Sequence, residues 1–295
     1  MTAETKPFRF CVDMVAPTSR SEWIEKCRKA EDLGYDVLGV ADHLGMPAPF
    51  PSLVLAAEHT ERIRLTTFVL NAGFYNPALL AREVTGTDQL TDGRLEFGIG
   101  AGYVEAEFDA AGIPFPSPRE RLDHLERTVK ELKRLYGDPE HKPQPVQKPG
   151  PPLLMGGRGD RLLRLAAEHA DSIGFIGTSA NTERMSLASR AELAERIDFT
   201  KAALGARAPQ VELNVLAHFV RITDDRRAAL EELHQLMPDL TVEQLGELPT
   251  VLVGTATEVA EQILAHRESL GISYYTVIEH NLEALAPVIE LLHGK

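Results

Sequence analysis

Asp42 and His43 follow a short apolar run, and this pair is the sharpest chemical feature of the chain. Imidazole is the side chain whose ordinary pKa lies closest to neutrality. A histidine at a strand end can therefore give or take a proton, and a neighbouring carboxylate can orient it. The plainer alternative is an aspartate capping a helix and a histidine filling a loop. A second cluster is Gly98-Ile-Gly-Ala-Gly-Tyr103. Gly100 and Gly102 leave room for a flat ring or a passing backbone, and Tyr103 offers an aromatic wall. The dinucleotide fingerprint is missing, because Tyr103 stands where the third glycine is required, so a Rossmann-type site is disfavoured. The alternative here is a tight turn. The third cluster, Met155-Gly-Gly-Arg-Gly-Asp160, runs directly into a helical stretch. Small residues leave backbone N–H groups open, a helix start adds positive potential, and Arg158 adds a bidentate donor. Gly156, Gly157 and Arg158 thus form a candidate phosphate cradle. Against it stands an ordinary turn capped by Asp160, whose charge would repel an anion if it faced inward.

Elements that bring such clusters together can be traced by period. Apolar, β-branched or aromatic runs predict strands over 8–12, 37–40, 64–70, 95–99, 153–155, 172–176, 211–222 and 274–278. Helical patterns lie between them. Ser19 and Glu22 form a capping box ahead of a stripe of Trp23, Ile24, Cys27, Ala30 and Leu33, which Gly34 closes. Ser117, Pro118 and Glu120 start another helix, with Leu122, Leu125, Val129, Leu132 and Leu135 as its core face. Further helices are expected over 184–204 and from Thr255 with Glu258. Eight strands, each followed by a helix, predict an α/β protein, a single (β/α)8 TIM barrel with loop insertions over residues 1–295. A doubly wound open sheet is the structural competitor. The proline-rich stretch 138–152 reads as a stiff excursion within that domain, since the alternation resumes after it unchanged.

In a barrel the working groups stand at the carboxyl ends of strands. Asp42–His43, the stretch 71–76, Gly98–Tyr103, Met155–Asp160 and Ile176-Gly177-Thr178 would then share one mouth. His59 and His169 read as helix-surface or helix-end residues. Glu105 and Glu107, two apart on a helix, diverge and are no obvious carboxylate pair. Phe50, Phe74, Tyr75 and Tyr103 are the expected wall, and the loops 46–51 and 138–152 are placed to cover it.

Composition narrows the partners. Against 31 Lys and Arg stand 44 Asp and Glu, a net charge of −13 that repels phosphate backbones and anionic lipid. Nucleic acid and membrane partners are therefore not expected, and a small-molecule substrate is. Two cysteines, Cys11 and Cys27, build no disulfide framework and no zinc spacing, so no metal is expected and the compartment reads as reducing. The polar start and the lack of any run of about 20 apolar residues point to the cytoplasm. P-loop, nucleophile-elbow, zincin and C-x-x-C signatures are all missing from the sequence.

The clusters and their flanks together resemble the bacterial luciferase-like monooxygenase superfamily, in particular its coenzyme F420-dependent branch. The resemblance rests on Ala30-Glu-Asp-Leu-Gly-Tyr-Asp-Val-Leu-Gly-Val-Ala-Asp-His43, Asn76-Pro-Ala-Leu-Leu-Ala-Arg82, and Leu90-Thr-Asp-Gly-Arg-Leu-Glu-Phe-Gly-Ile-Gly-Ala-Gly-Tyr103 with Glu107-Phe108. It continues in Met155-Gly-Gly, Leu165-Ala-Ala-Glu-His-Ala-Asp171, Val253-Gly-Thr255 and Glu258-Val-Ala-Glu-Gln-Ile263. These run in family order over most of the chain, and the family fold is the barrel reached above. What the resemblance implies is a flavin or deazaflavin ring over the mouth, with His43 as acid/base and Asp42 beside it. It implies a bulge or non-prolyl cis peptide beside the ring near Leu70 and Asn71, and the cofactor phosphate at Gly156, Gly157 and Arg158, while Gly100, Gly102, Tyr103 and Gly177 at the same mouth are the further cofactor-binding candidates. Where many members carry Trp this chain has Tyr103, and sugar dehydrogenases of this fold place a catalytic acid thereabouts, so sugar-phosphate chemistry is not carried over.

Three functions follow as expectations. The first is F420-dependent hydride transfer with an unidentified small organic substrate. The second is an FMN-dependent monooxygenase fed reduced flavin by a partner reductase. The third is a barrel subunit without activity of its own. A homodimer and a flavin or F420 reductase partner are implied by the resemblance alone.

Overall fold

Short runs such as Val37–Val40 are apolar on both faces, the pattern of parallel strands covered on both sides. The structure is a computed structural model that describes residues 6–16, 18–177 and 187–295. Its strands are β1 (Arg9–Met14), β2 (Val37–Val40), β3 (Arg64–Thr67), β4 (Leu70–Asn71), β5 (Leu95–Gly100) and β6 (Leu153–Gly156). They continue with β7 (Ser172–Phe175), β8 (Glu212–Ala217), β9 (Phe219–Ile222), β10 (Val251–Gly254) and β11 (Ile272–Ile278). The parallel order β3-β2-β1-β11-β8-β7-β6-β5 closes where β3 pairs with β5, which makes an eight-position barrel. The expected barrel is the fold, and the open sheet is excluded.

Most of the expected strands shift at one end or both by one or two residues, and two of them break. The first begins one residue later and runs two further, because β11 continues to Ile278 and gives Asp13 a partner in register. The third, expected as one run over 64–70, breaks at a cis Phe68-Val69 peptide and resumes as β4, still paired with β5. The implied cis bond thus lies just before Leu70 and Asn71. The long strand expected over 211–222 breaks at His218. Its second half, β9, leaves the barrel to pair with β10, a short run that the periodicity reading passed over. A separate small core of Leu187, Leu230, Leu233, Leu245, Val251 and Val253 forms beneath this ribbon.

The helices are α1 (Arg20–Asp32), α2 (Pro49–Glu58), α3 (Pro77–Leu90), α4 (Glu105–Ala111), α5 (Pro118–Tyr136) and α6 (Asp160–His169). They are followed by α7 (Arg190–Leu204), α8 (Arg226–Leu236), α9 (Val242–Gly246), α10 (Ala256–Leu270) and α11 (Leu282–Leu292). The capping boxes at Ser19, Ser117 and Thr255 form as expected, and a fourth at Ser189 sets the start of α7. That start is later than position 184; residues 184–186 and Thr178 lie outside the described residues. Leu125, Val129, Leu132 and Leu135 are buried on the core face of α5, each contributing about 1.5–3 kcal/mol. His59 and His169 end α2 and α6, as read.

Charge closes the amino end of the barrel. Arg9 contacts Glu96 and lies 2.6 Å from Glu212, while Arg64 reaches Glu96 at 2.6 Å. The proline-rich loop docks on this end: Gln147 donates to the Leu95 carbonyl at 2.6 Å and accepts from Arg64 at 3.0 Å. It cannot cover the mouth, because a helix-to-strand connection runs beneath the barrel, opposite the strand-to-helix loops. No helix among the described residues is long and apolar enough to cross a membrane.

Candidate active site at the carboxyl end of the barrel

Asp42 leaves the end of β2 and turns toward β4. Its Oδ2 accepts the Asn71 N–H at 3.0 Å, and the Tyr75 hydroxyl donates to the same carboxylate. Asp42 caps no helix; it ties two strand ends together. Burial pushes its pKa up, and the Asn71 and Tyr75 donors only partly offset this. Tyr75 is pushed up above its ordinary value by its own burial and by the Asp42 charge, which keeps the hydroxyl a donor.

His43 points elsewhere. Its Nδ1 lies 2.8 Å from Glu107 Oε1, with the two side chains 31% and 15% exposed, so the pair is shielded yet reachable. With the Glu107 carboxylate accepting, Nδ1 carries the proton and Nε2 is left to exchange one with a bound molecule. The Tyr103 ring stands edge-on to the imidazole, centroids 6.1 Å apart at 84°, and is 71% exposed, a rim residue above the pair. Its pKa is raised, first by burial and then by the Glu107 charge. Sequence reasoning passed over Glu107 because it weighed this residue only against Glu105. The available signal was a carboxylate one turn beyond the glycine cluster of the fourth strand, at the same rim as His43.

The glycines have their own structural causes. Gly98 passes so close to β3 that a Cβ would stand 1.9 Å from the Thr67 carbonyl oxygen. At Gly100 a Cβ would meet Val69 at 3.1 Å, and at Gly156 at 3.7 Å. These glycines therefore surround Val69, the residue just past the cis bond. Gly102 has φ +73, and a Cβ there would fall 2.1 Å from Asn71 Oδ1. Asn71 is held in turn, accepting the Gly73 N–H at 3.0 Å, while Leu70 is fully buried. Phe50 meets Tyr75 edge-on at 6.5 Å, and Phe74 packs on Phe108 at 5.1 Å, so these two aromatics support the site from behind.

Gly157, Arg158 and Gly177 come together around a cleft of about 210 Å³ that Phe175, Leu193 and Arg196 also line. The N-cap of α6 is Gly159, which has no side chain to cap the first N–H groups of that helix. Asp160 is not the cap; it pairs with Arg196 at 2.6 Å. Glu192 and Glu195 also line the cleft, but Glu192 caps α7 through Ser189 and Glu195 pairs with Arg196. Both acidic groups on this wall, and Asp160 beside it, are thus already engaged. The cleft can hold an anion on backbone donors and Arg158, beside the same rim that carries His43 and Glu107. No group of three or more His, Cys, Asp or Glu among the described residues is arranged to hold a metal ion.

A model of the family described as luciferase-like monooxygenase matches residues 6–274. The oxygenase component of a flavin-dependent trigonelline monooxygenase from Acinetobacter baylyi is 29% identical over 171 residues, covering 52% of this chain and 47% of its own. An F420-dependent glucose-6-phosphate dehydrogenase from Intrasporangium calvum is 32% identical over 181 residues, covering 54% of each. The chain thus spans about half the length of the curated relatives it matches. Among solved structures, an F420-dependent secondary alcohol dehydrogenase bound to an F420-acetone adduct superposes with a TM-score of 0.77. That match covers 98% of this chain and 100% of the other at 17% identity, a likeness of fold.

Proposed function

The chain belongs to the luciferase-like monooxygenase family, and from that premise we propose that it is an oxidoreductase using coenzyme F420 on a small organic substrate. The observation that carries this reading is the His43–Glu107 contact at 2.8 Å on the carboxyl rim. A reaction that moves a hydride also needs a proton given or taken nearby, and an imidazole fixed by a carboxylate suits that task. Bound at this rim, a deazaflavin supplies or accepts the hydride.

The chain's own residues divide the rest of the work. His43 Nε2 exchanges the proton with the substrate, Glu107 holds the ring in the tautomer that frees Nε2, and Asp42 keeps β2 and β4 in register beneath them. Leu70, Asn71, Gly100, Gly102 and Tyr103 shape the surface offered to the ring. Gly156, Gly157, Arg158 and Gly177 receive the phosphate, with the uncapped start of α6 adding donors. The fit is supported by the cleft at Gly157, Arg158 and Gly177, whose volume of about 210 Å³ takes a phosphate and part of its linker. Sugar-phosphate chemistry stays outside the proposal, since position 103 is an exposed tyrosine. A homodimer is part of the same reading.

A second reading, an FMN-dependent monooxygenase supplied by a reductase, is favoured by the similarity to the trigonelline monooxygenase component. Titration of the purified protein with F420 and with FMN, each with and without His43→Ala, separates the two. Under the first reading F420 binds, and the variant binds it equally but turns over far more slowly. Tight FMN binding with oxygen-dependent turnover and no F420 binding would sink the first reading.

A further inference from the structure

Glu107 rides on a helix that has little of its own to hold it in place. α4 is seven residues long and has no side-chain hydrogen bond at its N-cap. Isolated helices of that length are marginal in water, so contacts from outside must fix where α4 sits. The excursion that carries it runs from Gly102, three residues before α4, to Pro116, five residues after it in the connection that leads to α5.

One side chain joins them. Arg121, on the first turn of α5, donates from Nε to the Gly102 carbonyl at 3.1 Å and from Nη1 to the Pro116 carbonyl at 2.5 Å. Its guanidinium also lies 4.2 Å from the centroid of Phe115. Phe115 meets Phe108 edge-on at 5.0 Å, and Phe108 is the fully buried residue of α4 next to Glu107. The guanidinium therefore closes the excursion that carries Glu107 in two ways, through its carbonyls and through its aromatic floor. Lysine cannot do both, since one ammonium lacks the planar fork and the stacking face.

We propose that Arg121 is a positioning residue that holds Glu107 against His43 by clamping together the two ends, Gly102 and Pro116, of the excursion that carries α4. The inference rests on the reading of His43 and Glu107 as the proton-transfer pair, but its test does not need turnover. Two-bond proton–nitrogen spectra of histidine-labelled protein without cofactor, at about pH 8, report which ring nitrogen carries the proton. The His43 signals are identified by their loss in His43→Ala. The wild-type protein is expected to show the Nδ1-protonated ring. Arg121→Lys, still folded by circular dichroism, is expected to lose that single signature for a mixture of the two tautomers. In a Glu107→Gln background Arg121→Lys should cause no further change, because the link it serves is already broken. An unchanged His43 spectrum in folded Arg121→Lys, or an equal change with Glu107→Gln present, would overturn the proposal. So would failure of Arg121→Lys to fold, which would make the side chain a support of the whole barrel. Full activity of His43→Ala would remove the functional reading and leave this structural result standing.

Discussion

His43 and Glu107 meet at 2.8 Å across 64 residues of sequence, one leaving a barrel strand and the other carried on a short helix beyond the fourth-strand loop. Neither is placed by its own neighbours in the chain. The barrel brings β2 and β5 to one rim, and the excursion through α4 then returns a carboxylate to the imidazole. A polar contact built from two separate loops, partly shielded and still reachable, has the form of a working pair.

Removing the imidazole should abolish proton exchange and little else. His43→Ala is expected to lower turnover about 10²–10⁴-fold while the cofactor dissociation constant stays within about twofold. Glu107→Gln, which keeps the shape and removes the charge, should lose less, roughly tenfold or more. Steady-state rates and cofactor titrations of both variants check this.

Asp13 supplies a prediction about pH. It is buried on β1, its Oδ1 has no hydrogen-bond partner among the described residues, and burial followed by the Glu279 charge pushes its pKa well above 3.8. Below the ordinary carboxyl range both folded and unfolded chains hold the proton, and the group contributes nothing to the pH dependence. As pH rises through that range the unfolded chain releases its proton and the folded one keeps it, so stability falls by at most about 1.4 kcal/mol per pH unit. Asp13→Asn removes this slope. Melting temperatures of variant minus wild type should therefore increase from about pH 4 to about pH 7.

At Gly102 the backbone conformation and the neighbouring side chain act together. With φ +73 and Asn71 Oδ1 2.1 Å from the site of a Cβ, Gly102→Ala must displace Asn71, and a cost of about 1–3 kcal/mol is expected. Urea unfolding measures it. Unchanged stability would mean that this loop is freer than its contacts show.

Arg158 should matter for binding. Charge-assisted hydrogen bonds contribute about 1.5–3 kcal/mol, so Arg158→Ala is expected to weaken cofactor binding roughly 10- to 100-fold. Part of the loss should fade as salt rises. Fluorescence titration of F420 at two salt concentrations reads both effects.

Much of this was legible in the chain. Eight apolar runs, with capping boxes at Ser19, Ser117 and Thr255, suffice for the barrel, because short-range period and helix-start chemistry are local signals. The break in the third strand was legible only through the family resemblance, and the departure of β9 was not legible, since it depends on pairing with a strand distant in sequence. At the site, Asp42 and His43 could be placed from a strand end alone. Glu107 offered only the faint signal of its place beyond the glycine cluster, for its contact with His43 forms only once α4 is folded at the rim. The glycines carried a mixed signal: Gly98, Gly100 and Gly156 make room for Val69, which sequence spacing cannot distinguish from room for a ligand.

Equilibrium titration of the purified protein with F420 and, separately, with FMN, followed by cofactor fluorescence, decides which cofactor the rim takes. The account predicts saturable binding of F420, retained in His43→Ala and weakened in Arg158→Ala, with FMN binding more weakly. Tight FMN binding together with no measurable binding of F420 would contradict it.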